Sequence, residues 1–190
     1  MPESPIQARK KAARCQLKAA RAAIPEVERI ARSAAIEARI LEMEEVQQAR
    51  AIFIFISYLN EVNTHGLLKY FLNKGKDLAV PKILPSRTMI AVPFRSWDDL
   101  KKDAMGILTP SANEPYRGEF DVAITPGLGF TTKGYRIGYG RGYYDKWFAT
   151  HAVHYKIALA FEAQLVDELP LEETDLPVNA IVTEDRIIRP

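Results

Sequence analysis

Six consecutive residues, Ala51 to Ile56 (AIFIFI), constrain the fold more than any other stretch. The run is short, continuous rather than alternating, and rich in β-branched and aromatic side chains. That pattern marks a strand buried on both faces, as strands of a parallel sheet are. It is far too short to cross a bilayer. Parallel strands need crossover connections, usually helices, and those must cover both faces of the sheet.

The rest of the chain supplies such elements. Ile6 to Ala23 is rich in Ala, Lys, Arg and Gln and predicts a helix. Pro25 breaks it and, with Glu26, suits the first turn of a second helix reaching about Met43. Val27, Ile30, Ala34, Ala38 and Leu41 are the expected apolar face of that second helix. LLKYFLNKG predicts a helix ended by Gly75. DLAVP, TMIAVPF, DVAIT, KIALAF and NAIVTED read as strands, Tyr143 to His151 as a helix, and Arg95 to Phe120 mostly as loop. The expected fold is a three-layer α/β/α domain with a mostly parallel central sheet and two N-terminal helices. A single domain over residues 1–190 suits the length. In such sheets ligands bind at the carboxyl ends of strands. The segment that begins at Pro126, directly after DVAIT, occupies that position.

Composition excludes several function classes. Lys and Arg number 26 against 24 Asp and Glu, so the net charge of +2 does not suggest a dedicated nucleic-acid binder. The one cysteine, Cys15, cannot form an intrachain disulfide, and His65, His151 and His154 form no metal motif. The cationic first twenty residues contain no apolar core of a secretory signal. A cytoplasmic protein with no membrane association is expected.

Chemistry concentrates in Gly138 to Lys146, GYGRGYYDK. Glycines permit positive φ and close approach to the backbone. Backbone N–H groups in a loop that leads into a helix form an anion cradle. Arg136 and Arg141, with Lys133 and Lys146 nearby, would add charge, which suggests a phosphate site. The same glycines would equally suit a turn packed tightly on a neighbour. The spacing G-x-G-x-G is not the dinucleotide fingerprint G-x-G-x-x-G, and no G-K-[ST] follows, so this is not a Walker A loop. On the first helix, Lys10, Arg14, Lys18 and Arg21 share one face, the usual pattern of a solvated basic surface.

The longer stretch PGLGFTTKGYRIGYGRGYYDKW is more specific. Pro126, Gly127, Phe130, Gly134, Arg136, Gly138, Gly140, Gly142, Tyr143, Tyr144 and Asp145 closely resemble the signature of the 5-formyltetrahydrofolate cyclo-ligase family. The resemblance extends to Lys10 and Arg14, to Glu61 in ISYLNEVNT, to Gly75-Lys76 and Pro81-Lys82, and to Phe161, Gln164, Pro170, Asp175 and AIVTED. Arg141, Thr131, Thr109 and Thr174 depart from the common family residues.

The resemblance implies ATP-dependent cyclisation of 5-formyltetrahydrofolate to 5,10-methenyltetrahydrofolate, with ATP as co-substrate and Mg²⁺. It implies ATP contacts at Lys10, Lys11, Ala12, Ala13 and Arg14, at Lys82, and along Arg136, Ile137, Gly138, Tyr139, Gly140, Arg141, Gly142, Tyr143 and Tyr144. It likewise implies folate contacts at Ile56, Glu61, Tyr139, Gly140, Arg141, Gly142 and Tyr143. Arg136 and Arg141 would stabilise transferring charge, and Asp145 and Asp175 would hold the metal. Lys18 and Arg21 keep the solvated reading, and Trp97 and Trp147 read as packing residues. The expected partners are small molecules, with no nucleic acid and a monomeric chain. Two other readings stay open: a basic-helix RNA-binding module on a disused enzyme fold, and an enzyme acting on another formylated or phosphorylated metabolite.

Overall fold

A computed structural model of the chain describes residues 4–190. Ser4 caps the first helix, α1 (Pro5–Ala22), by accepting from the Gln7 amide. After Pro25 come α2 (Glu26–Leu41) and a short α3 (Glu44–Gln48). Then follow β1 (Ala51–Ile54), α4 (His65–Asn73), β2 (Asp77–Ile83) and β3 (Met89–Pro93). A small ribbon is made by β4 (Leu100–Lys102) and β5 (Leu108–Pro110). Next are β6 (Phe120–Thr125), a second ribbon of β7 (Gly129–Phe130) and β8 (Arg136–Ile137), and α5 (Tyr143–Phe148). The chain closes with β9 (Val153–Leu159), β10 (Ala180–Val182) and β11 (Ile187–Ile188).

Seven strands form the central sheet in the order β11-β10-β9-β6-β1-β2-β3. The five inner strands are parallel, and the antiparallel partners β3 and β11 close the two edges. β1 lies inside this sheet and is buried on both faces, as its apolar run predicts. Ile52 and Ile54 pack into a cluster with Ile36, Ile40, Leu67, Leu68 and Phe71 from α2 and α4. Phe53 points the other way, against Trp147 and Phe148 of α5 and Phe120 of β6. These two faces are the two helical layers of an α/β/α fold. No helix among the described residues is long and apolar enough to cross a membrane.

The second helix uses a different face from the one its periodicity suggests. Ser33, Ile36 and Ile40 are buried, whereas Val27 is 80% and Ile30 61% exposed. The expected face is filled out by alanines, while two isoleucines four residues apart bring more apolar area to the core. Ser33 is accommodated because its hydroxyl accepts from the Asn63 amide at 3.1 Å. The helix also ends at Leu41, before Met43.

Residues 95–120 are more ordered than their polarity suggests. Asp103 Oδ1 accepts from the amides of Met105 and Ile107, and Gly106 turns the β4–β5 ribbon at φ +80°. Lys82 on β2 tethers this segment by donating to the carbonyls of Pro110, Ser111 and Ala112. The two-residue strands β7, β8 and β11 were likewise too short to show any period.

The parallel core brings the carboxyl ends of β1, β6 and β9 side by side. The loops after β1 and β6 therefore leave the sheet as neighbours, and α1 lies over them with Leu17 packed on Leu128 and Ile137.

Phe53 stacks on Trp147 with ring centroids 4.3 Å apart and is fully buried. Phe53→Ala should lower unfolding stability by about 3–5 kcal/mol, as large-to-small aromatic changes in cores do. Urea melts of the two proteins check this, and a loss below about 1 kcal/mol would mean that the α5 layer collapses onto the gap.

Candidate active site

The glycine loop, residues 138–142, joins β8 to α5. Gly140 and Gly142 have φ of +103° and +63°, a region that side chains make costly. A Cβ at Gly140 would stand 3.2 Å from the Arg14 guanidinium. Gly138 differs, because it has no positive φ and a Cβ there would meet nothing within 4 Å. Neither backbone strain nor internal packing accounts for glycine at 138, and its surroundings are open to a group from outside. Residues 138–141 are exposed, and α1 holds the loop through Arg14 Nε, which donates to the Gly138 carbonyl at 3.0 Å.

Two ion clusters flank this loop. Lys10 is 5% exposed and donates to Glu172 at 2.7 Å and to Asp175 at 2.6 Å. Asp175 Oδ2 also accepts from the Glu172 amide. Burial alone would lower the Lys10 pKa, but hydrogen bonds and charge from Asp175 and Glu172 outweigh it and hold the ammonium above its ordinary value. On the other side Arg136, 7% exposed, pairs with Asp145 at 3.0 Å and donates to the Leu176 carbonyl. Its guanidinium lies against the rings of Tyr144 and Phe148. The Leu176 amide reaches back to Asp145 Oδ1 at 3.5 Å, so the Asp175–Leu176 turn touches both clusters.

The two carboxylates expected to hold a metal are thus each paired with a cation. Among the described residues, no group of three or more His, Cys, Asp or Glu is arranged around a common point. Asp145 Oδ2 and Asp175 Oδ1 receive no hydrogen bond from the described residues.

The third part of the site is centred on Tyr139. Its hydroxyl donates to Glu61 Oε1 at 2.7 Å and accepts from Arg21 Nη2 at 2.8 Å. Glu61 Oε2 accepts from the Tyr58 amide at 3.0 Å. Burial raises the Glu61 pKa against the opposing pull of Tyr139, the Tyr58 amide and the Arg21 charge. Burial, helped by the Glu61 charge, pushes the Tyr139 hydroxyl up to about 12, so it stays a donor at neutral pH.

The other sequence-predicted residues have mixed placements. Ile56 is buried, and Tyr58 turns outward to donate to the Met105 carbonyl. Burial drives the Tyr144 hydroxyl far above its usual range, and Tyr143 packs with it on the Phe53 cluster. Lys11 and Ala12 are exposed, while Ala13 packs against the Leu17 cluster. Ile137 is buried in that same cluster. Arg141 is exposed beside the loop. Lys82 is not arranged as a phosphate contact, because its three ammonium donors are committed to three carbonyls of the β5 segment. Lys18 is exposed, with its ammonium 5.6 Å from the centre of the Tyr139 ring.

Arg21 departs most from its sequence reading. It is not a solvated cation but 5% exposed, with bonds to Asn60, Gly127 and Tyr139. One signal could have revealed this. Leu17 lies between Arg14 and Arg21 on the same helical face, and a leucine there marks that face as inward. Gln164, matched earlier only as part of a closing pattern, fixes the turn after β6 by donating to the carbonyls of Gly127 and Leu128.

The model of the 5-formyltetrahydrofolate cyclo-ligase family matches residues 6–184, which include every residue of this site. The chain belongs to that family. Among similar cyclo-ligases, the mouse (Mus musculus) 5-formyltetrahydrofolate cyclo-ligase is 26% identical over 95% of this chain and 96% of the relative. That of Escherichia coli is 29% identical over 78% of this chain and 86% of the relative. The solved structure of Aquifex aeolicus 5,10-methenyltetrahydrofolate synthetase superimposes with a TM-score of 0.82 at 27% identity. The alignment covers 95% of this chain and 92% of that one. The cyclo-ligase family thus accounts for the fold and for the motif positions together.

Lys10 retains its proton above 10.5, the value for free lysine, so its cluster contributes full stability below that pH. The contribution is lost as pH rises through the higher folded value. Lys10→Met should therefore show a shallower alkaline fall in Tm than the wild type. Thermal melts across the range from about pH 8 to about pH 11.5 test this, and superimposable slopes would mean that the cluster does not hold α1 in place.

Proposed function

We propose that the protein catalyses ATP-dependent cyclisation of 5-formyltetrahydrofolate to 5,10-methenyltetrahydrofolate, releasing ADP and phosphate. One observation carries the reading beyond family membership. The open glycine loop, suited to phosphate, and Glu61, suited to the donor-rich edge of a pterin, meet across a single Tyr139–Glu61 hydrogen bond. The two kinds of recognition therefore belong to one site at the carboxyl ends of β1 and β6. The inward-turned Lys10 and Arg21 favour this reading over a basic face for RNA.

The chemical difficulty is that the formyl group on folate nitrogen-5 is an amide and a poor electrophile. In the proposed reaction the formyl oxygen takes the γ-phosphoryl group of ATP, and ADP leaves. Nitrogen-10 then attacks the formyl carbon. The carbon–oxygen bond breaks, phosphate departs with the former formyl oxygen, and nitrogen-10 gives up its proton. This chemistry asks for alignment and charge stabilisation rather than a covalent nucleophile.

The chain's residues divide the work accordingly. Amides of residues 138–142 cradle phosphate oxygens. Arg14, bound to that loop, and exposed Arg141 offer positive charge to the transferring group. Buried Arg136 anchors the loop to α5 through Asp145, and Lys10 anchors α1 to the Glu172–Asp175 turn. The Glu61 carboxylate and the Tyr139 ring take the folate. Mg²⁺ prefers one or two carboxylates completed by phosphate oxygens and water, which the free oxygens of Asp145 and Asp175 fit, and it would neutralise phosphate charge.

The direct test is to add 5-formyltetrahydrofolate and Mg-ATP and follow the absorbance of the methenyl product. ATP-dependent appearance of that absorbance is expected, and its absence from folded protein would remove the reading. Asp145→Asn should reduce the rate by at least about a hundredfold, as loss of a group acting on transferring phosphate does. Raising Mg²⁺ should restore part of the loss. An unchanged Mg²⁺ dependence with a lowered Tm would leave Asp145 only the task of seating Arg136.

A further inference from the structure

Arg21 lies outside the glycine loop and outside every motif that marks the family signature, yet it joins three segments of the site. Its Nε donates to Asn60 Oδ1 at 3.1 Å, in the loop after β1. Its Nη1 donates to the Gly127 carbonyl at 3.3 Å, in the turn after β6. Its Nη2 donates to the Tyr139 hydroxyl at 2.8 Å, in the glycine loop. Tyr139 passes the connection to Glu61, only one residue beyond Asn60. We propose that Arg21 is a positioning residue that couples the two substrate subsites, so that a bound nucleotide prepares Glu61 for folate and bound folate prepares the glycine loop for nucleotide. The proposal rests on the cyclo-ligase reading of these two loops.

Three features support it. First, the closed circuit has few other supports at its weak point. Residues 138–141 are exposed and Tyr139 is 50% exposed, so the loop is held largely by Arg14 at Gly138 and by Arg21 and Glu61 at the Tyr139 hydroxyl. A ligand that orders this loop therefore also orders the phenol that faces Glu61. A second ligand then has less ordering to impose, and the effect is reciprocal.

Second, the connection needs a guanidinium. Three donors diverge from one planar group to a side-chain amide, a backbone carbonyl and a hydroxyl. A lysine ammonium could retain the charge but not this fixed fork.

Third, the charges are arranged for the same end. Glu61 faces Arg21 from α1 and the Tyr139 hydroxyl from the loop, with the Tyr144 hydroxyl of α5 and the Lys18 ammonium the other titratable groups near this pair. Burial favours a protonated Glu61, and the Arg21 charge opposes it. The Tyr139 hydroxyl and the Tyr58 amide oppose it more strongly than Arg21 does, and Arg21 acts by holding the Tyr139 hydroxyl on Glu61, which favours the acceptor form that the donor edge of a pterin requires.

The experiment is a pair of titrations by calorimetry. The Kd of 5-formyltetrahydrofolate is measured alone and with a saturating non-hydrolysable ATP analogue, and the Kd of the analogue is measured with and without the folate. The wild type should show the same enhancement both ways, between about 5-fold and about 150-fold. Arg21→Met should bring that ratio close to one, and Arg21→Lys should not rescue it. Tyr139→Phe removes only the bridging hydroxyl and leaves Arg21 its other two partners. It should also lose the enhancement while keeping a wild-type Tm, and it decides the matter if Arg21→Met does not fold. A wild-type ratio of one, or an undiminished ratio in Tyr139→Phe or in folded Arg21→Met, overturns the coupling. Turnover by the wild type is read separately. A protein that forms the methenyl product without coupling retains the cyclo-ligase function and loses this proposal.

Discussion

Burial of β1 on both faces is the constraint from which the site follows. Ile52, Phe53 and Ile54 have no exposed surface, and they satisfy opposite layers of helices in alternation. A strand so enclosed must be flanked by partners, here β2 and β6, both parallel to it. Parallel neighbours end at the same edge, so the loops after β1 and β6 emerge together. Glu61 lies in the loop after β1, and the β7–β8 ribbon that follows β6 carries the glycine loop to meet it. The stacking of Phe53 on Trp147 extends the same constraint to α5, whose first turn closes the glycine loop.

Buried charge is the second organising feature. Lys10, Arg21 and Arg136 are each at most 7% exposed, and leaving any of them without partners would cost several kcal/mol. Each is instead surrounded by acceptors: two carboxylates for Lys10, a carboxylate and a carbonyl for Arg136, and three neutral oxygens for Arg21. A fold built for stability alone could use apolar residues at these places. Here the cations fasten loops and α1 to one another around an open backbone, the arrangement that the proposed phosphate site calls for.

Much of this was legible in the amino acids. The continuous apolar run identified a parallel sheet, and the alternation of helical and strand periods identified the layers. The eleven matching residues between Pro126 and Asp145 pointed to the family, which the match over residues 6–184 establishes. Local chemistry also located Pro25 at the start of the second helix and Gly75 just past a helix end. Where the reading went astray, the local signal was ambiguous. Along α2, alanines made two faces look alike, and the face that buries Ile36 and Ile40 is the one turned to the core. The β4–β5 ribbon has one face in water and too few residues for a clear period.

The sequence by itself determined the class of fold, the position of the glycine loop after a buried strand, and the identities of the charged groups, because those depend on composition and local period. Tertiary structure decided which charges face which. Lys82, Arg21 and Lys10 look equally available in a string of letters, since a cation's partners lie far along the chain: Asp175 is 165 residues from Lys10, and Tyr139 is 118 from Arg21. Only when the sheet closes do these groups leave water, and an ion that leaves water must find a partner where the fold has placed one.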